Sequence, residues 1–179
     1  MSRLDAALPP PLLGEWACLG ILYGEPAHGW AVAKTLRPDG DIGRIWTLSR
    51  PLTYRSLDRL TARGWLQPIA EEPGDAGPNR TILAATRSGR ARFRSWVATP
   101  VDHLRDLRSE LLLKLVFADR IGLDTTELLA AQALIVDRQA AQLAARGAGR
   151  RDPLDVVDLW RVEATAAAQR FIARVSARA

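Results

Sequence analysis

The stretch from Ser49 to Gly64 constrains the fold most, because both ends of a short helix are marked in it. Pro51 suits a first helical turn, where its missing N–H is not needed, and Ser49 is a residue type that caps the free amides of such a turn. Gly64 is the residue type that most readily takes the left-handed conformation that ends a helix. The sequence therefore predicts one helix between these two residues.

This predicted helix has an apolar side and a basic side. The apolar side carries Thr53, Leu57, Leu60 and Gly64, with Tyr54 at its edge. The opposite side carries Leu52, Arg55, Arg59, Ala62 and Arg63. Only Asp58 offsets the three arginines, whereas a solvated helix usually alternates the signs of its charges. We therefore expect one side to pack on the protein and the other to face an anionic partner.

The segments around the basic helix complete a known order of elements. The predicted helices are 12–23, 28–36 and 87–98, the last capped by Thr86, and the predicted strands are 65–70 and 80–85, joined by a turn over 73–79. Pro68 confines the first strand to the edge of a sheet, because proline cannot donate to the strand ladder. This order is that of a winged helix-turn-helix with a two-stranded wing, a DNA-binding architecture.

Beyond Pro100 the chain is predicted to be almost wholly helical. The first helix carries an apolar stripe of Leu104, Leu107, Leu111, Leu115 and Ala118. A cap at 124–127 starts a long helix that runs to about Arg146, and a turn follows over 147–153. The last helix carries a second apolar stripe of Val157, Trp160, Ala164, Ala167, Phe171 and Val175. Glu110 and Lys114 form a predicted ion pair one turn apart. These helices either dimerise, which we expect, or fold against their own winged domain.

The predicted fold class is therefore mainly α (α+β), with an N-terminal winged helix-turn-helix and a C-terminal helical dimerisation domain. Its parts are a leader over 1–11, the DNA-binding domain over 12–98 and the dimerisation domain over 101–179.

The positive charge is concentrated on the predicted winged domain. The formal net charge is +5, yet from Arg44 to Arg94 alone ten basic residues face four acidic ones. Local positive charge of this kind indicates nucleic acid as the partner.

Other classes of function find little support in the residues. Cys18 is the single cysteine, so no disulfide can form within the chain, and its apolar surroundings favour a core position. His28 and His103 are the only histidines and stand apart from other ligand or nucleophile residues. We predict no catalytic residue, no metal and no cofactor. The chain lacks a signal segment and any apolar run of membrane length, which predicts a cytoplasmic protein that associates with the nucleoid when bound to DNA.

Several motifs resemble those of the PadR family of bacterial transcriptional regulators. The matching segments are Gly24–Trp30 (the family's G-x-P-x-H-G-Y, with Trp30 for Tyr), Trp46–Ser49, Tyr54–Leu60, Gly77–Arg80, Thr86–Arg90 and Arg108–Leu115, the last similar to the start of the longer C-terminal region of the larger members. The resemblance covers nearly the whole chain and departs from the family at Leu52, Thr53 and Leu83. It implies a homodimeric repressor that binds double-stranded DNA at a pseudo-palindromic operator.

The docking geometry of helix-turn-helix proteins gives the predicted roles of the candidate residues. We expect Arg55 and Arg59 to read bases, Leu52 to contact a thymine methyl, Arg50 and Arg63 to contact phosphates, and Arg80 on the wing to contact phosphate or the minor groove. Tyr54 either contacts DNA or packs on the second helix. Arg87, Arg90 and Arg94 either join this surface or form an ordinary solvated face.

The resemblance also implies that a small hydrophobic or aromatic ligand relieves DNA binding in some members. Trp96, Phe117 and Trp160 are the candidate lining residues, with core packing as the competing interpretation of all three. An alternative function is a winged-helix protein-interaction module whose basic face is incidental. The salt dependence of binding separates the two, because counterion release makes DNA binding steeply sensitive to salt.

Overall fold

The computed structural model describes residues 9–73, 79–147 and 155–178. The predicted leader up to residue 8, the wing tip over 74–78 and most of the predicted turn over 147–153 lie outside these ranges. The chain divides between Val97 and Ala98 into two compact units. The first contains α1 (Leu13–Gly24), β1 (Ala27–His28), α2 (Gly29–Thr35), α3 (Arg50–Ala62), β2 (Leu66–Glu72), β3 (Arg80–Ala85) and α4 (Arg87–Ala98), except for the last residue of α4, which falls in the second unit. The second contains α5 (Leu104–Asp106), a π-helical turn (Leu107–Leu111), α6 (Leu112–Arg120), α7 (Thr126–Gly147) and α8 (Val156–Ser176).

The first unit has the order of elements predicted for a winged helix, with one strand more than predicted. The sheet is antiparallel in the order β1-β3-β2, and β1 pairs Ala27 with Leu83 and His28 with Ile82. The two-stranded wing is therefore part of a three-stranded sheet. Two residues are too few to show an alternating pattern, so β1 left no periodic signal in the sequence. Pro68 lies on the edge strand β2 as predicted, next to an irregularity in the pairing with β3.

The ends of α3 agree with the prediction at Gly64 but not at Ser49. Gly64 has a φ of 70°, the left-handed value expected of a residue that ends a helix. The Ser49 side chain makes no capping bond. Its carbonyl oxygen instead accepts hydrogen bonds from the Thr53 amide at 2.9 Å and the Thr53 hydroxyl at 3.1 Å. The predicted cap at Thr86 is confirmed, since the Gly89 amide donates to its hydroxyl at 3.0 Å.

Aromatic rings connect the helices of the first unit. Trp16 on α1 stacks on Trp96 with ring centroids 5.1 Å apart and lies 5.3 Å from Trp65. Phe93 continues the cluster at 5.5 Å from Trp96 and 5.4 Å from Tyr23. Offset and tilted pairs of this kind stabilise a core beyond their buried area. The cluster thereby joins α1 to α4 and to Trp65 before β2.

The second unit is helical as predicted, but its first helix is interrupted. A π-helical turn separates α5 from α6, and Leu111, Phe117 and Ala118 are fully buried beyond α5. The predicted pair of Glu110 and Lys114 is present at 2.7 Å, and Lys114 is itself buried. Burial lowers the pKa of Lys114 below its ordinary value, while the neighbouring Glu110 carboxylate opposes that shift.

The predicted apolar stripe of α8 is exposed at its N-terminal end. The residues that α8 buries are Thr165, Ala168 and Ile172, whereas Val157 and Trp160 are exposed. Ala168 and Ile172 belong to one cluster with Leu129 and Val136 of α7, and Phe171 and Val175 pack on its border. Within this unit, the stripe therefore contributes to packing at its C-terminal end. Among the described helices, none has both the length and the apolar character to cross a membrane.

Candidate nucleic-acid interface

Helix α3 is attached to the first unit through one side. Thr53, Ser56, Leu57 and Leu60 are buried, and Leu52, Arg50 and Arg55 are exposed. Thr53, Leu57 and Leu60 are buried as predicted, and Ser56 is buried in addition. An exposed helix face with little negative charge is suited to an anionic surface, because its arginines attract phosphates and release their counterions on binding.

Arg63 does not lie where the sequence predicted. Its side chain is 4% exposed, and its Nε atom lies 3.6 Å from Oε2 of Glu15, a buried carboxylate on α1. The guanidinium also lies 5.3 Å from the centroid of the Trp65 ring and donates a hydrogen bond to the carbonyl of Pro9. The predicted phosphate contact of Arg63 is therefore incompatible with its position. The cause is the buried charge of Glu15, which requires a cationic partner.

Arg59 is shared between the interior and the surface. Its Nη1 donates to Oε1 of Glu15 at 3.1 Å, while 45% of its side chain stays exposed. One guanidinium therefore contacts the scaffold helix α1 and also reaches the exposed side of α3.

Tyr54 packs on the start of the second helix and keeps part of its ring in solvent. A Cβ atom at Gly29 would lie 2.8 Å from Cε1 of Tyr54, so only glycine allows this contact. Tyr54 as a whole is 39% exposed, and the guanidinium of Arg50 lies 5.7 Å from the centroid of its ring. The packing interpretation of Tyr54 is therefore present in the structure, and Arg50 is held at the N-terminal end of α3 by a cation–π contact.

A groove of about 1220 Å³ runs between α3 and the wing. Its walls are formed by His28, Gly29, Trp30, Arg50, Tyr54, Leu57, Asp58, Thr61, Ala62, Pro68, Asn79, Arg80, Thr81 and Leu83. Arg50 and Arg80 thus lie on one groove. Arg55 and Arg59 are not among its walls, so the candidate interface has two parts.

Trp30 is a large exposed residue of this groove, and it was not among the predicted site residues. It is 51% exposed, although tryptophan normally buries most of its surface. Its place in the Gly24–Trp30 motif was the signal that could have drawn attention to it. The neighbouring His28 behaves as predicted for a helix-start residue, since its Nδ1 accepts a hydrogen bond from the Ala31 amide at 3.1 Å.

The arginines of α4 are not an ordinary solvated face. Arg94 donates from Nε to the Tyr23 hydroxyl, and Arg90 donates to the Tyr23 carbonyl. Both guanidiniums lie over the Tyr23 ring, at 5.0 Å for Arg90 and 5.8 Å for Arg94. These two residues therefore fasten α4 to α1, although Arg94, like Arg87, remains exposed.

The three candidate ligand residues do not share a cavity among the described residues. Trp96 belongs to the aromatic core of the first unit, and Phe117 is fully buried in the second. Trp160 is 71% exposed and borders a cavity of about 570 Å³ in the second unit, together with His103, Gln139 and Arg108. The core interpretation therefore applies to Trp96 and Phe117. Within the described ranges, no group of three or more His, Cys, Asp or Glu side chains is placed to hold a metal ion.

No family model matches the chain. A probable transcriptional regulator of Mycobacterium tuberculosis, Rv1176c, is 28% identical over 96 residues, which are 54% of this chain and 49% of that protein. The match thus spans about half the length of the relative.

The fold is similar to three solved structures. They are Bacillus subtilis PadR in complex with operator DNA (TM-score 0.49, 16% identity, 93% of this chain and 99% of that one), smu.1604c from Streptococcus mutans UA159 (0.46, 18%, 93% and 99%) and the PadR-like transcriptional regulator BC1756 from Bacillus cereus (0.40, 17%, 92% and 94%). The sequence relative is named as a probable transcriptional regulator, which is the class of protein that the motifs resemble.

Proposed function

We propose that this chain is a DNA-binding transcriptional regulator that acts as a homodimeric repressor on a pseudo-palindromic operator. The observation that carries the proposal is the arrangement of α3. This helix buries Thr53, Leu57 and Leu60 in a winged-helix scaffold and exposes Arg50 and Arg55 on the other side. The sequence relative named as a probable transcriptional regulator supports the same function.

The two parts of the interface suit two kinds of DNA contact. In helix-turn-helix docking the second helix of the motif enters the major groove, where arginine pairs with guanine and an apolar side chain contacts the thymine methyl. Arg55 and Leu52, both exposed, are suited to those contacts. Arg50 and Arg80 border the groove between α3 and the wing, where a phosphodiester strand would run.

The second unit is suited to hold two such chains together. Four large apolar residues are at least half exposed in the first turns of α8: Val156, Val157, Leu159 and Trp160. Exposed apolar groups so close together usually mark a protein interface. A two-fold dimer would present two α3 helices to two half-sites, which is the reason for expecting a pseudo-palindrome.

A small hydrophobic or aromatic effector remains part of the proposal, through the resemblance to the family. It would have to bind one arrangement of the two α3 helices better than another, because equal affinity shifts no equilibrium. Trp160 is the candidate lining residue that borders a cavity.

Selection of duplexes from a random-sequence pool by the full-length chain tests the proposal. We expect a preferred duplex whose affinity falls by about 10³-fold or more between 50 and 200 mM salt, because each phosphate contact releases counterions. Arg55→Ala should weaken this binding by about five- to hundredfold through the lost base contact. Arg138→Ala, which removes the same charge from the exposed surface of α7, is the control and should have little effect. Salt-insensitive binding, or no selection at all, would favour the protein-interaction module.

A further inference from the structure

Glu15 is a buried carboxylate with two arginine partners from α3. Its side chain is 2% exposed, and it lies in the first turn of α1, on the scaffold side of the winged unit. Oε1 accepts a hydrogen bond from Arg59 at 3.1 Å, and Oε2 lies 3.6 Å from Nε of Arg63. One negative charge thus faces two positive ones. The cluster keeps a net positive charge, and the side of it that reaches solvent is Arg59.

The two arginines differ in how much of the side chain is exposed and in how many contacts it makes. Arg63 is enclosed, with 4% of its side chain exposed and further contacts to Trp65 and to the carbonyl of Pro9. Arg59 keeps 45% of its side chain exposed and uses Nη1 for Glu15. A guanidinium carries five donors in a rigid fork, so engagement of Nη1 leaves the Nε–Nη2 edge able to contact a second acceptor.

We propose that Glu15 is a positioning residue, which holds the Arg59 guanidinium so that its Nε–Nη2 edge faces DNA. An unrestrained arginine loses rotamer entropy when it binds a base or a phosphate. The contact with Glu15 restricts the rotamers of Arg59 already in the folded protein, so that Arg59 loses less rotamer entropy when it binds DNA. The inference rests on the proposed DNA-binding function. In it, Glu15 orients a DNA-binding side chain without contacting DNA itself.

A double-mutant cycle of Glu15 and Arg59 tests this inference. Four full-length proteins are titrated with the duplex that the wild type selects: the wild type, Glu15→Gln, Arg59→Ala and the double variant. Thermal unfolding of each protein gives the concentration of folded protein used in its titration. Glu15→Gln should weaken binding about three- to tenfold when Arg59 is present, because the side chain becomes free again. The same substitution should leave the affinity for the duplex unchanged in the Arg59→Ala background. A purely structural role through Arg63 would instead weaken both backgrounds equally, and that result would overturn the proposal.

Two further arms keep the test decisive. Glu15→Asp keeps the charge that Arg63 requires but withdraws the carboxylate by one methylene, so it replaces Glu15→Gln if the latter folds poorly, with the same expected loss. Relaxation of the Arg59 Nε–H resonance in the free protein should show an ordered side chain that becomes mobile in Glu15→Gln, and an unchanged order parameter would overturn the proposal without any DNA. Loss of binding in Arg55→Ala with no coupling in the cycle would reject the role of Glu15 and keep the proposed function. Failure to select any duplex would reject both.

Discussion

Arg55 and Arg63 illustrate how two arginines of one segment come to serve different purposes. They are eight residues apart, yet Arg55 is exposed and Arg63 is buried against Glu15 and Trp65. The difference arises from the partner and not from the residue type. A buried carboxylate makes a nearby cation part of the scaffold, whereas an arginine without such a partner stays available to a ligand.

Arg63→Ala should therefore destabilise the protein without acting through DNA contacts. The substitution leaves the buried Glu15 with less compensation, and we expect the free energy of unfolding to fall by about 2–4 kcal/mol. Arg55→Ala, the matched control on the same helix, should leave it almost unchanged. Urea denaturation of the two variants measures the difference. Equal stability of both would contradict the buried position of Arg63.

At the scale of elements, the start of α4 lies unusually close to the chain before β2. A Cβ atom at Gly89 would lie 2.2 Å from the carbonyl oxygen of Trp65. The same carbonyl accepts a hydrogen bond from the Thr86 amide at 2.9 Å, so it cannot move away freely. Glycine at this position allows the close approach of helix and wing.

Gly89→Ala should accordingly separate α4 from the wing and lower the stability of the first unit by about 1–3 kcal/mol, the usual cost of an overpacked contact. Gly24→Ala is the matched control, because a Cβ atom there has nothing within 4 Å. It should be neutral or slightly stabilising. Thermal unfolding of both variants checks the expectation, and a stable Gly89→Ala protein would show that the contact yields easily.

Most of this winged unit could be predicted from local signals. Pro51 and Gly64 mark α3, Thr86 marks α4, and Pro68 marks an edge strand, because each acts within a few residues of itself. The partner of Arg63 could not be predicted, since Glu15 lies 48 residues away and their meeting depends on the packing of α1 against α3. The same reason applies to the Arg90 and Arg94 contacts with Tyr23.

For the whole molecule, the proposed dimer depends on the exposed start of α8. Trp160→Glu should convert the full-length protein into a monomer, because a charge would have to be desolvated in the apolar contact. Ala173→Glu introduces the same charge on the exposed surface of α8 more than three turns further on and should leave the dimer intact. Sedimentation velocity distinguishes the two states. A monomeric wild type, or a dimeric Trp160→Glu protein, would contradict the proposal.

The single cysteine, Cys18, should react poorly with thiol-directed reagents in the folded chain. Burial raises the pKa of the Cys18 thiol to about 12, and the side chain is enclosed in the first unit. Only about one thiol in 10⁵ is ionised at neutral pH, and the thiolate is the species that alkylating dyes attack. A cysteine introduced on the exposed surface would therefore be the sole site of labelling in the folded chain. Fluorescence energy transfer between two such chains could then follow the spacing of the α3 helices, with no native residue to remove first.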